Sequence, residues 1–356
     1  MLLSRCFLFG KRSSLYYGCN QQSVAAASNN ARPAIKPLKN HVVLVTGGAR
    51  GVGRGISMIL GEAGATVYVT GRPKNLSSKK PTLDDTVNEI TSKGGKAIAV
   101  FCDHSKDEEV KELFKKIAKD ENNRLDVLVN NAFSGAQAVG ENAGKKFYEC
   151  DPSFWDEINN VGLRNAYICS VLASRMMVPR RKGLIINISS AAGIRYFFNV
   201  PYGVGKAAID RMSADMAHEL KDSNVAVVSL WPGTVKTEQS YDWLQSGKLS
   251  QLTQLPQAQI ARMIKDGETP EFVGRAVLCL TCDDRVIRKT GCILLTADLC
   301  NEYLFIDNDG RIPSHMRSVS SALDFFGFRT AAKLVPRFLR IPATFLHLSS
   351  NKFYKL

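Results

Sequence analysis

From residue 41 onward, short apolar runs alternate with segments whose apolar residues recur at helical spacing. The apolar runs predict seven strands, at 41–46, 66–70, 97–102, 127–130, 183–188, 226–230 and 291–295. The helical spacing predicts helices at 51–63, 83–93, 107–119, 153–177, 202–221 and 270–281. Because continuous apolar strands joined by crossover helices form parallel sheets, we predict an α/β fold: a single doubly wound, Rossmann-like, seven-stranded parallel sheet with helices on both faces.

The same pattern predicts one domain over residues 41–310, flanked by a segment at 1–40 and a tail at 311–356. One stretch, 237–269, is longer than an ordinary connection and is dominated by Gln, Ser and Leu. Long insertions in compact domains often serve as lids or binding loops. This one follows the sixth strand, so we expect it at the carboxyl edge of the sheet, where such folds bind ligands.

The 356-residue chain has a formal net charge of +14, but this charge is concentrated at the two ends. Residues 1–40 and 325–356 each hold six basic and no acidic residues, so they account for twelve of the fourteen charges. A basic groove across the body is therefore not expected, and we predict no nucleic-acid partner. Nine cysteines scattered through apolar runs favour a reducing compartment, and the single pair Cys279 and Cys282 favours ordinary thiols over a metal site.

The two terminal segments carry the predictions about location. Residues 1–40 are rich in Ser, Arg, Ala and Asn, and the first acid of the chain is Glu62, which is typical of a mitochondrial transit segment. A brief signal or anchor for the endoplasmic reticulum, or a disordered tail, are the alternatives. The segment 325–356 mixes aromatic residues with arginines and is predicted to contact a membrane surface, or else to pack on its own domain or a partner subunit. No stretch of 18 uninterrupted apolar residues occurs, so no spanning helix is expected.

A glycine-rich turn follows the first strand directly, in the run Thr46-Gly47-Gly48-Ala49-Arg50-Gly51-Val52-Gly53. Glycines there let the backbone approach a pyrophosphate at the start of a helix, although a purely structural turn is the alternative. The second strand ends at Gly71-Arg72, with no acid to hold a ribose 2′-hydroxyl. Arg50 and Arg72 would neutralise a 2′-phosphate, so NADP(H) is favoured over NAD(H) unless Arg72 is only a solvated surface charge.

Tyr202 and Lys206 stand four residues apart at the start of a predicted helix, which places both on one face. A phenol has a pKa near ~10, and a neighbouring cation lowers that pKa by favouring the phenolate. The pair is therefore predicted to be a tuned proton donor. Because this spacing also arises by chance, the prediction depends on the rest of the chain.

Taken in order, these motifs strongly resemble the short-chain dehydrogenase/reductase family over roughly residues 41–300. The motifs that carry the resemblance are the turn at 46–53, Asp103, Asn130-Asn131-Ala132, Ser190, Tyr202 with Lys206, and Pro232-Gly233-Thr234-Val235-Lys236-Thr237.

The resemblance implies a nicotinamide cofactor site at the carboxyl edge of the sheet. Asp103 would meet the adenine, Asn130 and Ala132 the adenosine ribose region, and Val235 and Thr237 the nicotinamide carboxamide and the diphosphate. Asp103 could instead cap the next helix, and Thr237 could be a loop hydroxyl. The implied cofactor-binding set is Gly47, Arg50, Gly51, Val52, Gly53, Arg72, Asp103, Asn130, Ala132, Tyr202, Lys206, Val235 and Thr237.

The resemblance also implies the catalytic residues Ser190, Tyr202 and Lys206. Ser190 would bind the substrate carbonyl, with Ser189 as its rival, and Lys206 would hold the nicotinamide ribose and tune Tyr202 as the proton donor. The expected activity is NADP(H)-dependent reduction of bulky apolar ketones and aldehydes, such as steroid-like, lipid-like or xenobiotic compounds. The alternatives are a 3-oxoacyl thioester reductase and a cofactor-binding scaffold with little turnover. A homodimer or homotetramer through the helices at 153–177 and 202–221 is also implied.

Three features depart from the family pattern, two positions and the length of one span. The family usually has an asparagine that anchors a proton-relay water where this chain has Gly162, and Asn159 or Asn160 could replace it. Phe133 stands where glycine is common, and the span from Ser190 to Tyr202 is one residue shorter than usual. We expect these departures to alter the surroundings of the pocket without removing the proton donor.

Overall fold

In the computed structural model, seven parallel strands form one sheet in the order β3-β2-β1-β4-β5-β6-β7, which confirms the predicted fold class. The strands are β1 Val42–Val45, β2 Thr66–Gly71, β3 Lys96–Phe101, β4 Val127–Asn130, β5 Gly183–Ile188, β6 Val225–Trp231 and β7 Ile293–Leu295. The structure describes residues 36–73, 81–314, 317–320, 323, 328–336 and 339–342. The strand order reverses between β1 and β4, which is the point where open α/β sheets bind ligands.

Helices cover both faces of this sheet. They are α1 Gly51–Glu62, α2 Leu83–Ser92, α3 Asp107–Asp120, α4 Ala136–Glu141, α5 Phe154–Asn159, α6 Ala166–Met177, α7 Val200–Leu220, α8 Glu238–Gln245, α9 Lys248–Thr253, α10 Gln257–Lys265, α11 Pro270–Cys282, α12 Thr296–Tyr303 and α13 Arg329–Leu334. Alternate β1 residues enter two separate cores: Val43 and Val45 pack with α1 and α11, whereas Val42 and Leu44 pack with α3 and α6. Two buried faces explain why the strands are continuously apolar.

One predicted helix is wrong in its detail. The segment predicted as a single helix at 153–177 is divided into α5 and α6 by a π-helix at Asn160–Asn165. A π-helix bonds each residue to the fifth along the chain and so inserts one residue into a turn, which apolar periodicity does not reveal. The extra residue changes which side chains of this helical segment face Tyr202.

The insertion after β6 folds into three short helices, α8 to α10. Its two ends meet in a parallel bridge between Val235 and Glu268. Lys236 N donates to Glu268 O at 2.9 Å, and Glu268 N donates to Thr234 O at 2.9 Å. The residues that follow β6 therefore hold the two ends of the insertion together through backbone hydrogen bonds.

The described part of the C-terminal segment packs on α12. Ser318 and Arg340 form an antiparallel bridge, and Arg317 and Arg340 both donate to the Asp298 carboxylate, at 2.6 and 3.0 Å. Most of 325–356 and nearly all of 1–40, to which the predictions about location refer, lie outside the described residues. Among the described residues, no helix combines the length and apolar character needed to cross a bilayer.

Candidate active site

The glycine-rich turn between β1 and α1 is held in a tight conformation by its neighbours. Gly47 and Gly51 have φ angles of +66° and +54°, a region that L side chains rarely adopt. Asn131 Nδ2 donates to the carbonyls of Thr46 and Gly47, both at 2.9 Å. A Cβ added at Gly53 would lie 2.3 Å from Gly47 O, so only glycine lets the helix start this close to the turn.

The two predicted phosphate-binding arginines lie at the rim of this turn. Arg50 immediately precedes α1 and is exposed, as is Arg72 after β2, while Val52 is half-buried against the core. Burial raises the pKa of Asp103, but hydrogen bonds from Ser105 and the charge of Arg72 outweigh it and lower that pKa. Arg72 and Asp103 are thus close enough to interact.

Asp103 does not cap the helix that follows it. Its Oδ1 accepts from Ser105 N at 3.0 Å and from Ser105 Oγ at 2.8 Å, while α3 begins after Lys106. The alternative that the sequence left open, a helix cap, is therefore wrong. Asp103 remains a candidate for the adenine end of the site.

Asn130 and Ala132 differ in what they present to the site. The Asn130 side chain is buried and donates to Ser170 Oγ at 3.0 Å and to Asn187 Oδ1 at 2.8 Å, so only its backbone can face a ligand. Ala132 lies against the turn, because a Cβ at Gly47 would be 2.8 Å from its Cα. Ala132 N donates to Thr46 Oγ1 at 3.0 Å.

The sequence assigned no role to three residues that support the turn: Asn131, Thr70 and His104. Thr70 Oγ1 accepts from Gly47 N at 3.1 Å and lies 2.7 Å from His104 Nε2. His104 Nδ1 lies 3.1 Å from Asn165 Oδ1, at the end of the π-helix. Burial lowers the pKa of His104, which favours the neutral ring that donates to Asn165 and accepts from Thr70.

Ser190 and Tyr202 come together at the carboxyl end of β5. Asn199 caps α7 by accepting from Tyr202 N at 2.9 Å, and this places the phenol at the first turn of the helix. Burial raises the pKa of Tyr202, and a hydrogen bond with Ser190 lowers it. Ser189, in contrast, is 3% exposed and donates to Lys206 O at 3.2 Å, so Ser190 is the serine that faces Tyr202.

Lys206 lies beside Tyr202 but is directed toward the end of β5. Its Nζ donates to Ile188 O at 3.0 Å and lies 5.7 Å from the centroid of the Tyr202 ring. Burial lowers the pKa of Lys206 to about 8, partly offset by the charge of Asp210. The sequence predicted that Lys206 lowers the pKa of Tyr202; in this structure burial dominates, and the net change is upward.

A cavity of about 10 Å³ lies beside these side chains, close to the size needed for one water molecule. Its lining residues are Phe133, Ile158, Asn159, Gly162, Tyr202, Gly205 and Lys206. Asn159 is buried and its Nδ2 donates to Pro201 O at 3.2 Å, whereas Asn160 is not among the lining residues. Of the two asparagines considered as replacements at Gly162, only Asn159 reaches this position.

Aromatic side chains connect Tyr202 to the insertion. The Phe198 ring centroid lies 5.2 Å from that of Tyr202 and 5.9 Å from that of Trp243 in α8. Phe197 packs on Phe198 at 4.5 Å, and Tyr196 and Phe197 are exposed. Apolar rings from two separate segments, the residues before α7 and the helix α8, therefore lie near the phenol.

The loop after β6 reaches the glycine-rich turn. Thr237 caps α8 by accepting from Ser240 N at 3.1 Å, and its Cγ2 lies 3.4 Å from the Cβ position of Gly51. Val235 packs on the core. The next residue, Glu238, accepts a hydrogen bond from Gly51 N through its Oε2 at 3.1 Å. A carboxylate thus lies against the start of α1.

This arrangement fits the anionic part of a dinucleotide. The turn is closely packed where a Cβ would intrude, and the N–H group of Gly51 already donates to the oxygen of an anion, the Glu238 carboxylate. Arg50 and Arg72 lie at the start of α1 and the end of β2. Ser190, Tyr202 and Lys206 lie near the end of β5, farther along the same edge of the sheet.

Comparisons with known proteins bear on the family of this chain. Residues 41–246 match the family model described as short chain dehydrogenase. The chain is 42% identical to dehydrogenase/reductase SDR family member 1 of Mus musculus, over 90% of this chain and 100% of that protein. It is 27% identical to the 3-oxoacyl-[acyl-carrier-protein] reductase FabG of Thermotoga maritima, over 69% of this chain and 92% of that protein. Among solved structures, a metagenomic short-chain oxidoreductase in complex with NADP is similar with a TM-score of 0.56 and 24% identity, over 73% of this chain and 97% of that chain. The chain therefore belongs to the short-chain dehydrogenase family of oxidoreductases.

Proposed function

We propose that this protein is an NADP(H)-dependent carbonyl reductase acting on bulky apolar ketones and aldehydes. The observation that carries the proposal is the hydrogen bond between Ser190 and Tyr202 at the carboxyl end of β5, with Lys206 beside it. The rings of Phe197, Phe198 and Trp243 around the cleft support an apolar substrate.

Each of the three side chains has a separate task in this proposal. When bound, the cofactor supplies the hydride. Ser190 binds the carbonyl oxygen, and Tyr202 donates a proton to that oxygen as negative charge develops on it. Lys206 binds the ribose beside the phenol, and its ammonium then offsets the burial that raises the pKa of Tyr202.

The preference for NADP(H) rests on the exposed Arg50 and Arg72 at the rim of the turn. Guanidinium groups bind phosphate through paired hydrogen bonds, and β2 ends at Gly71 with no acid directly after it. The remaining contacts are proposed for the backbone of the glycine turn, for Asp103 and Ala132, for the Asn130 backbone, and for Val235 and Thr237.

A panel of ketones, aldehydes and acyl thioesters, assayed with NADPH and NADH side by side, tests this function. We expect carbonyl-dependent oxidation of NADPH, and a loss of at least about 100-fold in Tyr202→Phe, the magnitude typical of removing a general acid. Tyr148→Phe, at a 72% exposed position, is the control and should retain activity. Cofactor binding without turnover on any substrate would refute the reductase and favour a scaffold.

The alternative substrate class is a 3-oxoacyl thioester. It is supported by the similarity to the 3-oxoacyl-[acyl-carrier-protein] reductase of Thermotoga maritima. Turnover of acyl thioesters, with none of free ketones, would select this alternative.

Location and assembly are also proposals. We propose a mitochondrial location from the basic, acid-free segment 1–40, with the endoplasmic reticulum surface as the alternative, and membrane-surface contact through 325–356. Imaging chains that lack each segment separately tests both.

A homodimer or homotetramer is supported by Trp155, Tyr167 and Val204, which are exposed on α5, α6 and α7, and light scattering measures the oligomeric state.

A further inference from the structure

Glu268 is a buried carboxyl group that the proposed reaction does not use. The residue is 2% exposed. Oε1 accepts from Gly233 N at 2.9 Å, and Oε2 accepts from Thr296 Oγ1 at 2.8 Å. A buried acid is costly unless its oxygens are bonded, and here both are.

The same residue also fixes the loop through its backbone. Its N–H and C=O groups bond to Thr234 O and Lys236 N, both at 2.9 Å. Gly267, just before it, approaches so closely that a Cβ there would lie 2.1 Å from Thr234 O. One residue thus bonds to three positions of the loop 232–237 and joins that loop to α12.

The loop 232–237 carries Val235 and Thr237, and the first inserted helix, α8, begins directly after it. We propose that Glu268 is a positioning residue, which holds the loop 232–237 in the geometry that binds the nicotinamide end of the cofactor and closes the base of the insertion. This inference rests on the proposed function, because the loop matters only if that cofactor binds there.

The titration of Glu268 provides a readout that an ordinary packing role would not change. Burial raises its pKa to about 8, reinforced by Asp307 and opposed by its two hydrogen bonds. Cys300 is the other titratable group that faces it, and the Lys236 ammonium lies 3.7 Å from Asp309 instead. Opening the loop to water would return Glu268 toward its ordinary pKa of 4.5, so opening becomes more favourable as the pH rises between these two values.

Backbone hydrogen exchange of the peptide covering 231–238 tests the inference without any ligand. In Glu268→Ala we expect exchange of these amides to rise at least tenfold, because Gly233 N loses its acceptor. Glu268→Gln keeps partners for Gly233 and Thr296 and should match the wild type within about twofold at pH 4.5, where opening of the loop releases little of the Glu268 proton. At pH 8 the wild type should exchange at least about tenfold faster than Glu268→Gln in this peptide. Asp283→Asn is the matched control, because Asp283 also accepts two hydrogen bonds but from Arg285 N and Tyr303 rather than from the loop.

Fluorescence measurements of NADPH binding by the same proteins test whether the loop affects the affinity for the cofactor. We expect Glu268→Ala to weaken binding at least tenfold at pH 6 and Glu268→Gln to stay within twofold. Unchanged exchange in 231–238, or an equal increase throughout the domain, would overturn the positioning role. If Glu268→Ala does not fold, the wild type and Glu268→Gln are compared on their own. The same pH dependence of exchange in both proteins would then overturn the positioning role. A wild type with this exchange pattern that binds no NADPH would instead refute the proposed function.

Discussion

At the scale of single residues, Phe133 and Gly162 form one complementary pair. A Cβ at Gly162 would lie 3.0 and 3.3 Å from two atoms of the Phe133 ring, so the ring occupies the space that a larger residue at 162 would need. The same ring packs edge-on against Tyr202, with centroids 5.8 Å apart. The two departures from the family pattern that the sequence presents separately therefore depend on each other.

This pairing predicts the outcome of a double-mutant cycle. Gly162→Asn should destabilise the protein and reduce its activity, because the new side chain displaces the Phe133 ring. Phe133→Gly combined with Gly162→Asn should recover part of both losses, with a coupling free energy of about 0.5–3 kcal/mol, as is usual for residues in contact. Chemical denaturation of the four proteins measures the coupling. Additive effects would show that the two positions are independent.

At the scale of elements, α8 contacts the cofactor turn through its first residue. Glu238 Oε2 accepts from Gly51 N, the position where a cofactor diphosphate is proposed to bind. Both groups are anions that need the same N–H at the start of α1, so they compete. Binding of the diphosphate would release the Glu238 side chain from the turn, whereas Thr237 would still cap α8.

We therefore expect Glu238→Gln to tighten NADPH binding. Removing a carboxylate from a helix N-terminus changes the free energy by about 0.3–1 kcal/mol, which corresponds to a roughly two- to five-fold lower Kd. Fluorescence titration measures it, and Glu219→Gln, at an exposed position late in α7, controls for the change in net charge. Weaker binding in Glu238→Gln would mean that this carboxylate orders the site rather than competing for it.

The elements also show which features can be predicted from the sequence and which cannot. The seven strands and the glycine turn were predictable, because buried parallel strands are continuously apolar and the turn needs glycine at Gly47 and Gly51. The π-helix at Asn160–Asn165 was not, because one extra residue in a turn leaves no periodic signature. His104 and Glu268 were missed for another reason: their partners are distant in sequence, so neither has a local motif.

At the scale of the whole molecule, the buried Glu268 links stability to pH. Its pKa is near 4.5 when exposed and about 8 in the folded protein, so between these values the folded state holds a proton that the unfolded state has released. The unfolded state then binds fewer protons, and the free energy of unfolding falls as the pH rises. This loss of unfolding free energy is absent below about pH 4.5 and complete above about pH 8.

Glu268→Gln removes this proton equilibrium while keeping a donor for Thr296 and an acceptor for Gly233. We expect the difference in unfolding free energy between the variant and the wild type to grow in favour of the variant from pH 5 to pH 8, by up to about 1.4 kcal/mol per pH unit for one proton. Denaturant unfolding of both proteins at each pH measures this difference, and the other titrating groups cancel because they are common to both. Parallel curves would show that Glu268 is ionised in the folded protein at neutral pH, and a wild type that gains on the variant with rising pH would reverse the sign of the argument.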